Sequence, residues 1–479
     1  MNIIKRTYIY VIFSFYGLFL FANDKSSQFY TIMPIGDSIT EGVVGGYSYL
    51  YPLWERLYET GMTFKFVGPR CSETRIGRLQ HCAFSGKTAE FIDALIDSVY
   101  KRFPADIILL HIGHNHCSSE HPVKNIMNAY RSIIRKIINI NPDVKVVISK
   151  IIPSDKLPKY SYIPELNDSI EALVSSIDNL NVIMSDPCLG FIVNEYTIAD
   201  KVHPNKKGAY HIANAWLDAV QRITGTSSVL FQPQKLTYKL LENGDSLQLH
   251  LFGPKNSSNI RKPCILYFFG GGWSHGTPLQ FYKECAYYAS KGMVAISVDY
   301  RISSIHSSTP FQSLEDARDA IGWVMKNSDI LGIDSDKIAV AGASAGGQLA
   351  AAIGTSVPYI KGSSRPDLML LYYPVIDNGP DGYGTKEMKQ KYEEISPLHN
   401  LTKETPPSLL LLGTKDHLIP VKTSEEFKRK LLRKGVDCEV HLFEGYGHPI
   451  FNYRDPLDSV FYEVRKYTDN FLAKHGYLN

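Results

Sequence analysis

Short Ile- and Val-rich runs alternate with helical patterns along this chain, twice over, and that alternation most narrows the folds open to it. In the first half the runs fall at 30–35, 64–67, 106–112, 144–152 and 182–184. They show little polar alternation, as strands buried on both faces do. Between them Leu50, Leu53, Trp54 and Leu57 share one helical face, as do Ile126, Tyr130, Ile133, Ile134 and Ile137. The pattern stops at 224–234 (TGTSSVLFQPQ), which reads as a linker. It restarts with runs at 236–241, 247–251, 265–269, 294–298, 337–341, 368–373, 408–412 and 439–443, the first two joined by Asn243-Gly244 as a hairpin. Strands alternating with helices predict parallel sheets covered on both faces. A length of 479 residues predicts two such α/β domains, at 23–223 and 235–479.

The first residues read as a leader. Lys5 and Arg6 precede an apolar run from Tyr8 to Phe21, closed by Ala22 and the polar Asn23-Asp24-Lys25. A basic start, an apolar middle and a small residue make a secretory signal over 1–22. Leu20 stands where a small residue is preferred, so an uncleaved anchor is the alternative. The run is shorter than the ~20 residues a spanning helix needs. A secreted or periplasmic protein follows, with no membrane insertion after cleavage. Export permits disulfides. Of seven Cys, Cys71 and Cys82 bracket a polar loop and are the favoured pair, with free buried thiols the alternative. A net charge of +3 gives no nucleic-acid footprint. Asn167, Asn256 and Asn400 begin Asn-x-Ser/Thr sequons, which matter only in a glycosylating host.

Gly342-Ala343-Ser344-Ala345-Gly346 lies between the run at 337–341 and a helical stretch. In that strand–turn–helix setting a Gly-x-Ser-x-Gly holds a serine hydroxyl out of the sheet as a nucleophile. Asp416 and His448 follow, each after a later strand, in the order Ser…Asp…His. The His would take the serine proton and the Asp would hold its tautomer. Gly270-Gly271-Gly272-Trp273 follows another strand, so Gly270, Gly271 and the Ala345 N–H are candidates for an oxyanion hole. The phrases FGGGW, VDYR, EDARDAIGWV, GASAGG, YYP, GTKD and GYGH together resemble the hormone-sensitive-lipase-like esterases and related feruloyl/acetyl esterase domains, across roughly 240–470. The resemblance implies an α/β-hydrolase domain. That family usually carries a His before the glycines, which braces the loop; here it is Phe269.

Gly36-Asp37-Ser38-Ile39-Thr40 directly follows the first strand, where ligands bind in open parallel sheets. Asp200 and His203 precede the last helix of this half, at an offset that lets the carboxylate reach the ring. Gly86 and Asn115 follow the second and third strands and could complete an oxyanion hole with the Ser38 N–H. MPIGDSITEG, GGYSYLYPLWERLYETG, FKFVG, FSGKTAEFI, ILLHIGHN and DKVHPNKKGAYHIANAW resemble the SGNH (GDSL-like) hydrolases, closest to the family-three carbohydrate esterases that deacetylate xylan. This implies a flavodoxin-like three-layer α/β/α domain. The third block departs from that family's Gly-x-Asn-Asp, with His116 in place of the Asp.

His111, His114, His116, His121 and Cys117 cluster in sequence, but their spacings fit no standard zinc pattern, and neither metal nor other cofactor is expected. The resemblances imply an esterase with two Ser-His-Asp sites. The first would remove acetyl groups, and the second acetyl or feruloyl-type groups, from an acylated polysaccharide or oligosaccharide such as xylan. Three alternatives stand beside that: a general carboxylesterase or lipase, a peptidase in the second domain (disfavoured by the FGGGW loop, an esterase feature), or one dead domain kept as a carbohydrate-binding module.

Overall fold

A computed structural model describes residues 29–226, 231–253, 261–355, 365–451 and 459–478. The expected leader and Asn256 lie outside them. The first half forms a sheet of β1 (Phe29–Gly36), β2 (Thr63–Phe66), β3 (Arg70–Thr74), β4 (Gly77–Ala83), β5 (Ile107–His111), β6 (Lys145–Ser149) and β7 (Val182–Ser185). Their order is β3-β4-β1-β5-β6-β7, with β2 on the other part of the β1 edge. All are parallel except the β3–β4 pair. Alternate residues go to opposite faces, as the pleat requires. Met33, Ile35, Ile108, Leu110 and Val146 enter one core, under the helices Ala89–Arg102 and Val123–Ile140. Ile32, Leu109 and Val147 enter the other, under Leu50–Glu59 and Lys206–Thr224. The result is the three-layer, flavodoxin-like arrangement.

The structure replaces the expected polar loop after Cys71 with the β3–β4 hairpin. Its register sets Cys71 opposite Gln80, not Cys82. Cys82 is buried beside β1, while Cys71 is exposed, and all seven cysteines are free. The favoured disulfide is therefore corrected: the hairpin register keeps the two thiols out of opposition. Asn167 holds its amide inward, accepting from the Ile151 N–H at 2.7 Å and donating to its carbonyl at 2.9 Å.

The helix Lys206–Thr224 ends on Gly225 with φ of 70°, and the second sheet starts at Gln234. That sheet comprises β8 (Gln234–Leu240), β9 (Ser246–Phe252), β10 (Lys262–Phe268), β11 (Val294–Val298), β12 (Ile333–Ala343), β13 (Leu368–Tyr372), β14 (Ser408–Gly413) and β15 (Cys438–Phe443). Their order is β15-β14-β13-β12-β10-β11-β9-β8. Only the two pairings of β9, with β8 and with β11, are antiparallel. This is the α/β-hydrolase sheet. The buried stretches of its central strands are almost wholly apolar, as strands covered by helices on both faces are. Among the described residues no helix is long and apolar enough to cross a membrane.

Candidate active sites

Ser344 sits between β12 and the helix Ala345–Thr355 with φ of 53°, a left-handed conformation costly for a residue with a Cβ. The turn is over-determined. The Ser344 N–H donates to Tyr372 and its carbonyl accepts from Val375 and Gln348. A Cβ at Gly342 would lie 2.2 Å from the Gly346 carbonyl oxygen, and one at Gly346 only 2.1 Å from that of Phe268. The glycines two places either side are therefore steric requirements. His448 Nε2 lies 2.9 Å from Ser344 Oγ, and His448 Nδ1 lies 2.7 Å from Asp416 Oδ2. Asp416 Oδ1 accepts the N–H groups of Leu418 and Ile419 at 2.8 and 2.9 Å. Burial pushes the Asp416 carboxyl up, but the His448 ring and these donors outweigh it and hold it below its usual range. Tyr373, which sequence reasoning missed, packs edge-on to the His448 ring with centroids 4.7 Å apart.

The oxyanion assignment needs one correction. The Gly270 N–H donates to Gln280 Oε1 at 2.7 Å, so this donor is already engaged. The Gln280 acceptor lies ten residues on, in a short turn with no signal pointing back to the glycines. The Gly271 and Ala345 N–H groups have no acceptor among the described residues, and Ala345 begins its helix, where the dipole favours an anion. Trp273 is buried and donates to Gln348, which fixes the far side of the glycine loop.

Ser38 follows β1. A Cβ at Gly36 would meet Thr40 Oγ1 at 2.1 Å, so the chain turns close here. Asp37 caps the short helix Ser38–Glu41 by accepting the Ile39 N–H. Ser38 Oγ lies 2.9 Å from His203 Nε2, and His203 Nδ1 lies 2.5 Å from Asp200 Oδ2. Asp200 Oδ1 accepts the N–H groups of Val202 and His203 at 2.9 and 3.0 Å. Partial burial pushes Asp200 up, but His203 and these donors outweigh it and hold the carboxyl low. The first triad is the more open: 35% of the Asp200 side chain is exposed, against none of Asp416.

The end of β1 lies between the ends of β4 and β5, so the loops carrying Gly86 and Asn115 leave the sheet on either side of the strand that precedes Ser38. The Gly86 N–H has no acceptor among the described residues. Asn115 spends one amide N–H on the Lys87 carbonyl at 2.9 Å, tying the two loops together and leaving its second N–H available. Glu41 was not foreseen: it accepts the Ser85 N–H at 2.7 Å and pairs with Arg70, which holds the Gly86 loop in place. The unusual His116 lies 3.2 Å from both Glu90 and Glu120, with hydrogen-bond geometry between its Nδ1 and Glu120.

Beneath Ser38, Asp37, His111 and His114 bring one atom each to within 4.8 Å of one another. Asp37 Oδ2, both His111 nitrogens and His114 Nδ1 have no hydrogen-bond partner among the described residues, while His114 Nε2 meets the Ile152 carbonyl at 3.0 Å. Burial pushes the His111 ring down to about 4 and lowers His114. A carboxylate and two neutral imidazoles could hold a metal ion or a buried water. The sequence grouping omitted Asp37 and included His116, His121 and Cys117, which lie outside this set.

Residues 35–210 match the model of the GDSL-like Lipase/Acylhydrolase family, and residues 249–362 match the BD-FAE model. The chain joins a GDSL-like lipase/acylhydrolase domain to a BD-FAE α/β-hydrolase domain. Esterase LipC of Mycobacterium tuberculosis is 30% identical over 40% of this chain and 54% of its own length. An acetylxylan esterase of Xylanibacter ruminicola is 24% identical over 47% of this chain and 48% of its own. This chain thus spans about half the length of both curated relatives. A propionate-bound thermophilic esterase from Thermogutta terrifontis is 31% identical, covering 51% of this chain and 95% of that one with a TM-score of 0.49. The GDSL-like match contains Ser38, Asp200 and His203; the BD-FAE match contains Ser344 but stops before Asp416 and His448.

Proposed function

We propose that the chain is a carboxylic ester hydrolase with two working heads, the GDSL-like domain acting through Ser38 and the BD-FAE domain through Ser344. One observation carries this reading: each serine hydroxyl stands 2.9 Å from a His Nε2 whose other nitrogen meets an Asp. At either head the His takes the serine proton as Oγ attacks the ester carbonyl. The resulting oxyanion is met by N–H groups: Ser38, Gly86 and the Asn115 amide at the first head, Gly271 and Ala345 at the second. The His then returns the proton to the departing alcohol, leaving an acyl-serine. A water enters and the His takes its proton as the water oxygen attacks the acyl carbon; the acyl–Oγ bond then breaks, the His returns the proton to Oγ, and the acid leaves.

The substrate we assign is acylated plant polysaccharide such as xylan, with acetyl removed at the first head and acetyl or feruloyl-type groups at the second. The similarity to an acetylxylan esterase supports it. Tethered heads also raise the local concentration of the second site on a polymer carrying both decorations. We further place the mature protein outside the cytoplasm, on the leader-like residues 1–22. Ser38→Ala and Ser344→Ala variants test the reading. Acetate release from acetylated xylan should fall with Ser38→Ala, and hydrolysis of methyl ferulate or a small aryl acetate with Ser344→Ala. If neither variant loses either activity, the two-headed reading fails. A strong preference for long acyl chains would favour a lipase instead.

A further inference from the structure

Phe269 poses a question the second domain does not answer alone. It stands where related loops carry a bracing His, so the glycine loop needs another support. Part of it is local: the Tyr300 ring stacks on Phe269 with centroids 4.0 Å apart, and the Tyr300 hydroxyl donates to the Phe269 carbonyl at 2.6 Å. The rest comes from the first domain. The β3–β4 hairpin is a tight one, with Thr74 opposite Gly77 and the Thr74 hydroxyl donating to the Gly77 carbonyl. Arg75, at its tip, reaches across the domain boundary. Its Nε donates to the Gly276 carbonyl at 2.9 Å, and its Nη2 lies 2.7 Å from Asp299 Oδ1. Its own carbonyl accepts the Gly276 N–H at 2.5 Å.

Gly276 is the returning leg of the glycine loop. Its φ is +119°, and a Cβ there would lie 2.4 Å from both the Gly270 carbonyl oxygen and the Phe269 ring. A Cβ on Gly271 would lie 2.0 Å from the His275 carbonyl oxygen. The two legs therefore touch backbone to backbone, and wherever Gly276 is held, Gly271 is held. Asp299 precedes Tyr300, so one guanidinium fixes both supports of the loop. The ion pair is well enclosed, with 16% of Arg75 and 15% of Asp299 exposed, a setting where charge-assisted bonds keep their strength.

We propose that Arg75 of the GDSL-like domain is a positioning residue for the BD-FAE head, setting the loop that presents the Gly271 N–H to the oxyanion. The proposal rests on the reading of Ser344 as an esterase nucleophile. An oxyanion donor acts on the transition state more than on bound substrate, so loss of the brace lowers kcat while KM changes little.

The test uses the full chain in a Ser38→Ala background, so that p-nitrophenyl acetate reports Ser344 alone. Arg75→Ala should lower kcat about tenfold or more, a fraction of the ~10²–10³ lost with a whole donor. KM should stay within twofold. Arg75→Lys keeps a cation beside Asp299 but cannot also reach the Gly276 carbonyl, so it should fall between. In the converse Ser344→Ala background, Arg75→Ala should leave the Ser38 head unchanged. Equal losses at both heads, a loss confined to KM, or a Ser344 kcat within twofold of the parent would each overturn the proposal. An inactive Ser38→Ala parent would instead sink the reading of Ser344 itself.

Discussion

Asp416→Asn is the substitution whose consequence the hydrogen bonds fix most tightly. The side chain is fully enclosed and its two oxygens are already assigned. Oδ1 accepts two backbone N–H groups, from Leu418 and Ile419, and Oδ2 faces His448 Nδ1. An Asn of the same shape must keep its single oxygen against the two backbone donors, because an NH2 there would face two N–H groups. Its NH2 is thereby turned towards His448 Nδ1. That nitrogen must become the acceptor, the ring proton moves to Nε2, and Nε2 can no longer take the proton of Ser344. The general cost of the wrong tautomer is about 10⁴ in kcat, or about 5.4 kcal/mol. In the Ser38→Ala background, kcat for p-nitrophenyl acetate should fall by about that factor, with KM near the parent's and an unchanged melting profile. A kcat within tenfold of the parent would refute the reasoning, since His448 would then work without an acceptor on Nδ1. Asp200, with Val202 and His203 as its backbone donors, should respond in the same way at the first head.

Asn115→Ala should lower kcat at Ser38 by about 10²–10³ with the Ser344 head untouched, because it removes an oxyanion donor from one domain only; steady-state kinetics in the two single-head backgrounds would show it. Gly346→Ala places a methyl 2.1 Å from the Phe268 carbonyl oxygen, a main-chain clash no rotamer relieves. Calorimetry should show the BD-FAE transition lowered or lost while the GDSL-like one remains. Stability should also fall in mild acid. Burial pushes His81 down to about 4 and His250 to about 3, against an ordinary value of 6.5. Below pH 6.5 the unfolded chain gains protons that the folded chain refuses, so stability is complete above that pH and drains away towards pH 4. His81 alone accounts for at most about 3 kcal/mol of this loss. His81→Gln should flatten the dependence of Tm on pH in that window, and parallel curves for variant and parent would contradict the assignment.

The two triads were legible in the sequence because Ser38, Ser344, Asp416 and His448 each follow a strand, while Asp200 and His203 lie just before the closing helix of the first domain. Buried strands announce themselves as apolar runs. The eight strands of the second sheet were readable from such runs, with Asn243-Gly244 marking the hairpin that joins the more exposed β8 to β9. The β3–β4 hairpin was not. It lies at a sheet edge, its residues are mostly polar, and Arg70–Thr74 has no apolar run to mark a strand. One error of reading follows from that omission: Cys71 and Cys82 look like the ends of a loop when a hairpin register separates them. The contact of Arg75 with the other domain has no signal in the sequence. The Gly270 correction has a different cause: which N–H groups stay free depends on a Gln280 side chain folding back, and periodicity carries no information about that. Asp37 joined His111 and His114 only when β1 and β5 were set side by side.

The central claim is that both serines are nucleophiles in one chain, and active-site labelling measures it most directly. A small fluorophosphonate bonds only to a serine activated by its His, and intact mass counts the adducts. The account predicts two adducts on the parent chain, one on Ser38→Ala, one on Ser344→Ala and none on the double variant. A single adduct on the parent, abolished by one substitution and indifferent to the other, would contradict it.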